Sequence, residues 1–281
     1  MAIKIGDIFK TNNFGNLEII EKFDNDLFLV RFFNTGSYGT FTGNAIRHGR
    51  VKDKFLPIIA GVGYVGTFTG KVTDPEVVIF YSTWNDMLHR CFDPYDGDYV
   101  YYGAIGVTVD PSWFDFGTFL NDVKYLPGYE NKLEYPYKYQ LDKDFLQMHL
   151  PKSQRIYSKN TCIWLSKIDN TILMNADNIL SNPGYLNVIK VNDSYFVRVN
   201  NRLYSQFDDP IAAANAANNV YNMRKQNNKF MNLERINNVP YMPYEELVKH
   251  QLNLKPMIRV IDKNNVSSTT IRDECSGVRL K

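Results

Sequence analysis

Cysteine is scarce in this chain: three among 281 residues, Cys91, Cys162 and Cys275, odd in number and far apart. That argues against a disulfide framework, and with no C-x2-C pair the commonest zinc-ligand spacing is missing as well. Cys91 and Cys162 are therefore expected as buried, reduced thiols. Long apolar runs are also absent, so no stretch reaches the roughly 20 residues of a membrane-spanning helix. The opening Met1-Ala2-Ile3-Lys4-Ile5-Gly6-Asp7 lacks the basic-then-apolar layout of a secretory signal. These absences lead to the expectation of a cytoplasmic protein with no membrane partner. An excess of charge is lacking too: 32 basic against 30 acidic residues leave a net charge of +2, far from the balance of a protein that coats nucleic acid.

What is present suffices for buried cores, since 44% of residues are hydrophobic and the length fits two or three domains. The charge is unevenly placed. Residues 1–75 hold nine basic and seven acidic side chains, residues 76–187 nine and fourteen, and residues 188–281 fourteen and nine. Phosphate attraction, if any, belongs to the two ends, while the acidic centre repels a nucleic-acid backbone unless a metal ion offsets its carboxylates.

Residues 17–33 alternate as two strands around Asp24-Asn25-Asp26, a hairpin by its turn residues. Glycine-punctuated runs at 35–43 and 61–66 then suggest a small β-barrel-like domain over residues 1–75. The basic stretch 47–54 between them offers Arg47 and Arg50 as phosphate contacts, against the plainer reading of a solvated loop.

From residue 75 the periodicity becomes helical. Pro75 presets a first turn with Asp74 as its cap, and Val77, Phe80, Trp84, Met87, Leu88 and Cys91 form one apolar stripe. Trp113, Phe116, Phe119, Leu120 and Val123 repeat the pattern after a short β-like Val107-Thr108-Val109. The acidic run 93–98 looks superficially like a calcium loop but lacks its closing glutamate. Downstream lie Leu141-Asp142-Lys143-Asp144 and Tyr157-Ser158 with Thr161-Cys162. In a strand, Asp142 and Asp144 would point their carboxylates to one face, where a divalent metal could be held; the alternative is that they cap a turn or pair with a lysine. His149 is the nearest histidine, and His89 lies beside Arg90.

After Ser181-Asn182-Pro183-Gly184, a stop signal, three short strands are expected at 186–191, 194–199 and 202–205, joined by Asn192-Asp193 and Asn200-Asn201. Asp209-Pro210 then opens an alanine-rich helix over 211–224. The last part, 228–281, holds an expected helix at 244–251 and a strand at 257–262. Tyr241, Met242 and Tyr244, set among Pro240 and Pro243, suit a protein contact as well as local packing. The fold class expected is α+β: a β-barrel-like domain (1–75), a central helical module (76–183), a three-stranded sheet with a helix (184–227) and a C-terminal extension (228–281).

The central motifs, Trp84/Met87/Arg90/Cys91, Tyr102-Gly103/Gly106-Val107, Trp113/Phe116/Phe119, Leu141-Asp142-Lys143-Asp144 and Tyr157-Ser158/Thr161-Cys162, resemble phage-encoded proteins related to HNH and AP2 homing endonucleases. The resemblance covers residues 76–170 and implies a ββα-like nuclease module. A working module of that kind needs a histidine beside its metal, and none adjoins Asp142, so Asp142, Asp144 and His149 are weak catalytic candidates and the chain is read as non-catalytic. Phe207-Asp208-Asp209-Pro210 with its alanines resembles an AP2 domain, which implies that the sheet reads the DNA major groove through Lys190, Arg198, Arg202 and Tyr204.

Two function classes follow. One is a phage DNA-binding protein descended from a homing-endonuclease-like ancestor, with no cofactor or at most a divalent metal at Asp142 and Asp144. The other, from a looser resemblance to phage anti-defence proteins, is an inhibitor acting in the host cytoplasm on a host defence complex, for example Gabija. The small size of the end modules adds the expectation of a homo-oligomer through Tyr241, Met242 and Tyr244.

Overall fold

The computed structural model describes residues 2–177, 184–199 and 202–252. The expected strand at 257–262 and Cys275 lie outside the described residues, as do residues 178–183. The fold is mixed α+β with several small sheets. Contacts divide it into two compact units: Met1–Pro136 with Leu141–Trp164, and the described residues of Tyr137–Gln140 and Leu165–Lys281.

The first unit opens with an antiparallel sheet of β1 (Ile8–Lys10), β2 (Asn16–Lys22), β3 (Leu27–Phe32) and β4 (Tyr38–Thr42), in that spatial order. The β2–β3 hairpin turns through Asn25 and Asp26 at φ of 60° and 56°, a left-handed conformation that these short polar residues tolerate. Leu17, Ile19, Phe28, Val30 and Phe32 face inward and pack with Ile46 of α1 (Gly43–Arg47) and with Val51. Thr42 starts α1 by accepting the Ala45 amide on Oγ1.

The sheet does not close into the barrel expected from sequence. Among the described residues β1 and β4 do not pair, and the 61–66 run that was to supply barrel turns is engaged elsewhere. The Tyr64 amide donates to Phe114 O at 2.9 Å and the Phe116 amide to Tyr64 O at 3.0 Å. Gly66 sits at φ +56°, where an added Cβ would stand 2.5 Å from Asp115 Oδ1, so both the conformation and the close approach demand glycine. Asp115, buried, accepts the Gly117 amide at 2.8 Å and the Thr67 amide at 3.2 Å.

The central core is built on α2 (Pro75–Phe92). Asp74 occupies its N-cap position with extended backbone, though its side chain makes no capping bond. The stripe Phe80, Trp84, Met87, Leu88 and Cys91 is buried as the spacing predicts. There follow β5 (Thr108–Val109), α3 (Phe116–Asp122), α4 (Tyr129–Glu134), β6 (Tyr139–Asp142), β7 (Ile156–Tyr157) and β8 (Ile163–Ser166), with β5 and β7 paired in parallel and β6 paired with β8. Trp84, Trp113 and Trp164 are all fully buried. Their indoles donate to Trp113 O (2.7 Å), Asp122 Oδ2 (2.9 Å) and Val123 O (3.0 Å), so large apolar volume is gained without orphaned donors.

The second unit carries α5 (Lys167–Asp177), then β9 (Val188–Val191), β10 (Ser194–Val199) and β11 (Arg202–Phe207) as an antiparallel sheet with β10 central, then α6 (Pro210–Gln226) and α7 (Tyr244–His250). Asp209 Oδ2 caps α6 through the Ala212 amide at 2.6 Å. Ala212, Ala213, Ala214, Ala216 and Ala217 are fully buried, letting α6 lie close to its neighbours.

The irregular segment after α6 is fastened by side-chain amides. Asn218 Oδ1 accepts the Ile236 and Asn237 amides, Asn237 exchanges both bonds with Leu186, and Asn215 accepts the Met242 amide and donates to Pro240 O. Asp169, fully buried on α5, accepts Tyr221 Oη at 2.8 Å and the Asn232 amide at 2.7 Å.

Candidate functional site

Four of the sequence motifs meet in the central core. Arg90 of α2 places its guanidinium carbon 5.0 Å from the Tyr102 ring centre and 5.3 Å from that of Tyr157, while Lys143 Nζ lies 4.8 Å and 5.2 Å from the same two rings. Two cations thus share a pair of aromatic faces. Arg90 Nε has no hydrogen-bond acceptor, and the π faces of these rings offset its missing bond. Burial drives the Tyr157 hydroxyl well above its ordinary pKa and pushes the neighbouring thiols up, Cys91 to about 11 and Cys162 to about 12. These cysteines are protonated packing groups at neutral pH, as their apolar surroundings require.

The two aspartates do not share a face. Asp142, 4% exposed, turns Oδ1 back onto the chain and accepts the amides of Asp144 (3.1 Å) and Phe145 (2.8 Å). Its burial, and after that the charge of Asp144, push its carboxyl up to about 6. Asp144 is clamped by Lys143 Nζ at 2.8 Å and Arg155 Nη1 at 3.0 Å. Burial would raise Asp144, but these two cations outweigh it and hold the carboxyl below its usual value. The sequence alternatives of a turn cap and a lysine pair are both present, one on each aspartate. His149 is exposed. Among the described residues no three His, Cys, Asp or Glu side chains gather as a metal site would require. His89 meets Asp93 at 3.0 Å instead, and Asp93 and Asp96 serve as turn acceptors for the Tyr95 and Asp98 amides.

Arg155 was not singled out from sequence, although it holds Asp144. It is the one arginine between Arg90 and Arg198 in the sequence, and that isolation beside the Ile156-Tyr157 strand is the signal that could have marked it.

Comparison with family models, with curated proteins and with solved structures returns no match.

The sheet candidates are not presented together. Lys190 stands opposite Tyr195 in the β9–β10 register and its Nζ lies 5.7 Å from that ring, so it shares the face of Val197, Val188 and Phe207, all buried. Arg198, one position on from Val197, falls on the other face with Phe196, next to a register shift in the β10–β11 pairing. The AP2 resemblance has the sheet read DNA through Lys190 and Arg198 together, whereas the register set by the Asn192-Asp193 turn puts them on opposite faces. Arg202 belongs to β11, but its side chain lies outside the described residues. Tyr204 is 46% exposed. In the first unit Arg47 and Arg50 are exposed at the end of α1, with Asp26 3.9 Å from Arg47. Tyr241 and Tyr244 are 81% and 49% exposed, with Met242 half-buried between them.

Proposed function

We propose that this chain is a DNA-binding protein of homing-endonuclease-like descent whose nuclease-like module now serves as a packed core. The observation that supports this most directly is the internal engagement of both candidate carboxylates: Asp142 holds two backbone amides and Asp144 two cations. A metal bound there would have to displace partners within the core. Phosphate attraction comes instead from exposed cations at the two ends, Arg47 and Arg50 in the first unit and Lys190 in the second, with Arg198 and Arg202 beside it in sequence. The test is binding to a labelled duplex across a salt series, with a cleavage assay in magnesium or manganese alongside. A log-log slope of affinity on salt that flattens by about 1 for each arginine removed supports the reading. Metal-dependent cleavage lost in Asp142→Ala, or no binding at low salt to DNA of either form, duplex or single-stranded, would overturn it.

A second reading, a protein-binding inhibitor of a host defence complex, draws on the exposed Tyr241 and Tyr244 in their proline-stiffened segment. The same surface is the contact for the homo-oligomer, which light scattering would distinguish from the 32.6 kDa monomer. Co-purification of a host complex that Tyr241→Ala with Tyr244→Ala abolishes would favour the inhibitor over the DNA-binding reading.

A further inference from the structure

The second unit contains an open groove of about 460 Å³ where α5, β11 and the end of α6 meet. Tyr204 forms one wall, Val220, Met223 and Met231 supply apolar surface, and Arg224, Asn227 and Asn228 bring the polar groups. The volume is that of a small-ligand site, and its openness suits one unit of a longer chain.

The polar groups are specific. Asn227 gives Nδ2 to Met223 O at 3.1 Å, which leaves its Oδ1 as an acceptor. Asn228 uses Oδ1 to accept the Phe230 amide at 3.1 Å, which leaves its Nδ2 as a donor. A donor and an acceptor on adjacent residues match the hydrogen-bonding edge of a nucleobase, and the half-exposed Tyr204 ring offers a stacking face. Arg224 shows no ion pair among the described residues, so its charge is available to a phosphate. Lys225 is tied to Leu233 O at 2.7 Å and Lys229 lies 5.2 Å from the Phe230 ring, adding positive charge without competing for the groove.

We infer that this groove binds single-stranded nucleic acid, seating one base on Tyr204 against the Asn227 and Asn228 amides with its phosphate at Arg224. The inference rests on the DNA-binding reading and changes its mode. The substrate would be an unpaired base rather than the duplex major groove, to which the sheet presents Lys190 and Arg198 on opposite faces.

The experiment uses the full chain and a fluorescein-labelled mixed-sequence DNA of about 12 nucleotides, single-stranded or as its duplex, read by anisotropy. Tyr204→Ala should weaken the single strand by about tenfold or more, and Tyr204→Phe should keep most of the affinity because the stacking face remains. Arg224→Gln should flatten the salt slope on the single strand by about 0.7. Circular dichroism confirms that each variant is folded. Single-strand affinity unchanged in Tyr204→Ala, with duplex still bound, overturns the groove and leaves the DNA-binding reading standing. Binding to neither DNA overturns both, whereas Tyr204-dependent binding to the single strand alone supports the groove and rejects the major-groove mode.

Discussion

Helices α2 and α6 are both long and each buries one side, yet they are held by opposite means. Around α2 the partners are large rings: Trp84 stacks obliquely on Phe116 with centroids 5.3 Å apart, and Phe80 meets Trp164 edge-on at 5.7 Å. Around α6 most of the buried residues are alanines, and the fixing is done by Asn215, Asn218 and Asn237 bonding to backbone groups. In the first case stability depends on filled volume, in the second on polar groups that must each keep a partner. The difference predicts distinct responses to mutation.

The largest effect is expected from Trp84→Ala, about 3–5 kcal/mol by urea unfolding, since it opens a cavity and strands the Trp113 carbonyl. A loss under about 1 kcal/mol would break the claim that ring volume holds the α2 core. Next comes Asn237→Leu, similar in size, which is expected to cost about 2–3 kcal/mol because the Leu186 amide and carbonyl both lose their partner. If the leucine variant were as stable as the parent, the α6 side would be held by packing after all, and the contrast between the helices would vanish.

A third measurement probes charge in the α2 core. The folded chain keeps Asp142 protonated up to about pH 6, whereas in the unfolded chain the group ionises near 4. The folded state therefore binds more protons in that window, and wild-type stability falls as pH rises from about 4 to about 6 and stays lower above it. Asp142→Asn keeps an acceptor for the Asp144 and Phe145 amides without the charge. It should be more stable than the parent at pH 8, by on the order of 2 kcal/mol, and nearly equal at pH 4. Equal unfolding midpoints at pH 8 would show that this buried carboxyl ionises without penalty. Asp144, held below its usual value, acts oppositely, and its contribution is lost only as pH falls below about 4. The smallest stability effect belongs to Arg50→Ala at the exposed end of α1, within about 0.5 kcal/mol. The same change should still lower the salt slope of duplex binding by about 1, which separates a binding residue from a folding one.

Much of the secondary structure was legible because its signals are local. Asn25 and Asp26 mark the β2–β3 turn, Pro75 and a periodic stripe mark α2, and Asp209-Pro210 marks the start of α6. The barrel failed because the destination of Gly66 depends on Asp115, 49 positions later, and composition carries no trace of that contact. The aspartate pair was legible as chemistry but not as geometry. Their two-residue spacing suggests a shared face only if the strand continues, and β6 ends at Asp142, after which the chain turns. Lys190 and Arg198 failed as a pair for a related reason: each reads as a strand cation alone, and only the hairpin register assigns the face.

The path of the chain between its two units carries one more lesson. It enters the second unit at Tyr137, returns to the first at Leu141 and leaves again after Trp164. Within the second unit Tyr139 Oη donates to Phe230 O, a partner translated 91 residues later. Neither unit is therefore an uninterrupted gene segment, and no single recombination joint could transplant one whole into another protein. On the ribosome the 137–140 segment must wait for residues beyond Leu165 to emerge before its place in the second unit exists.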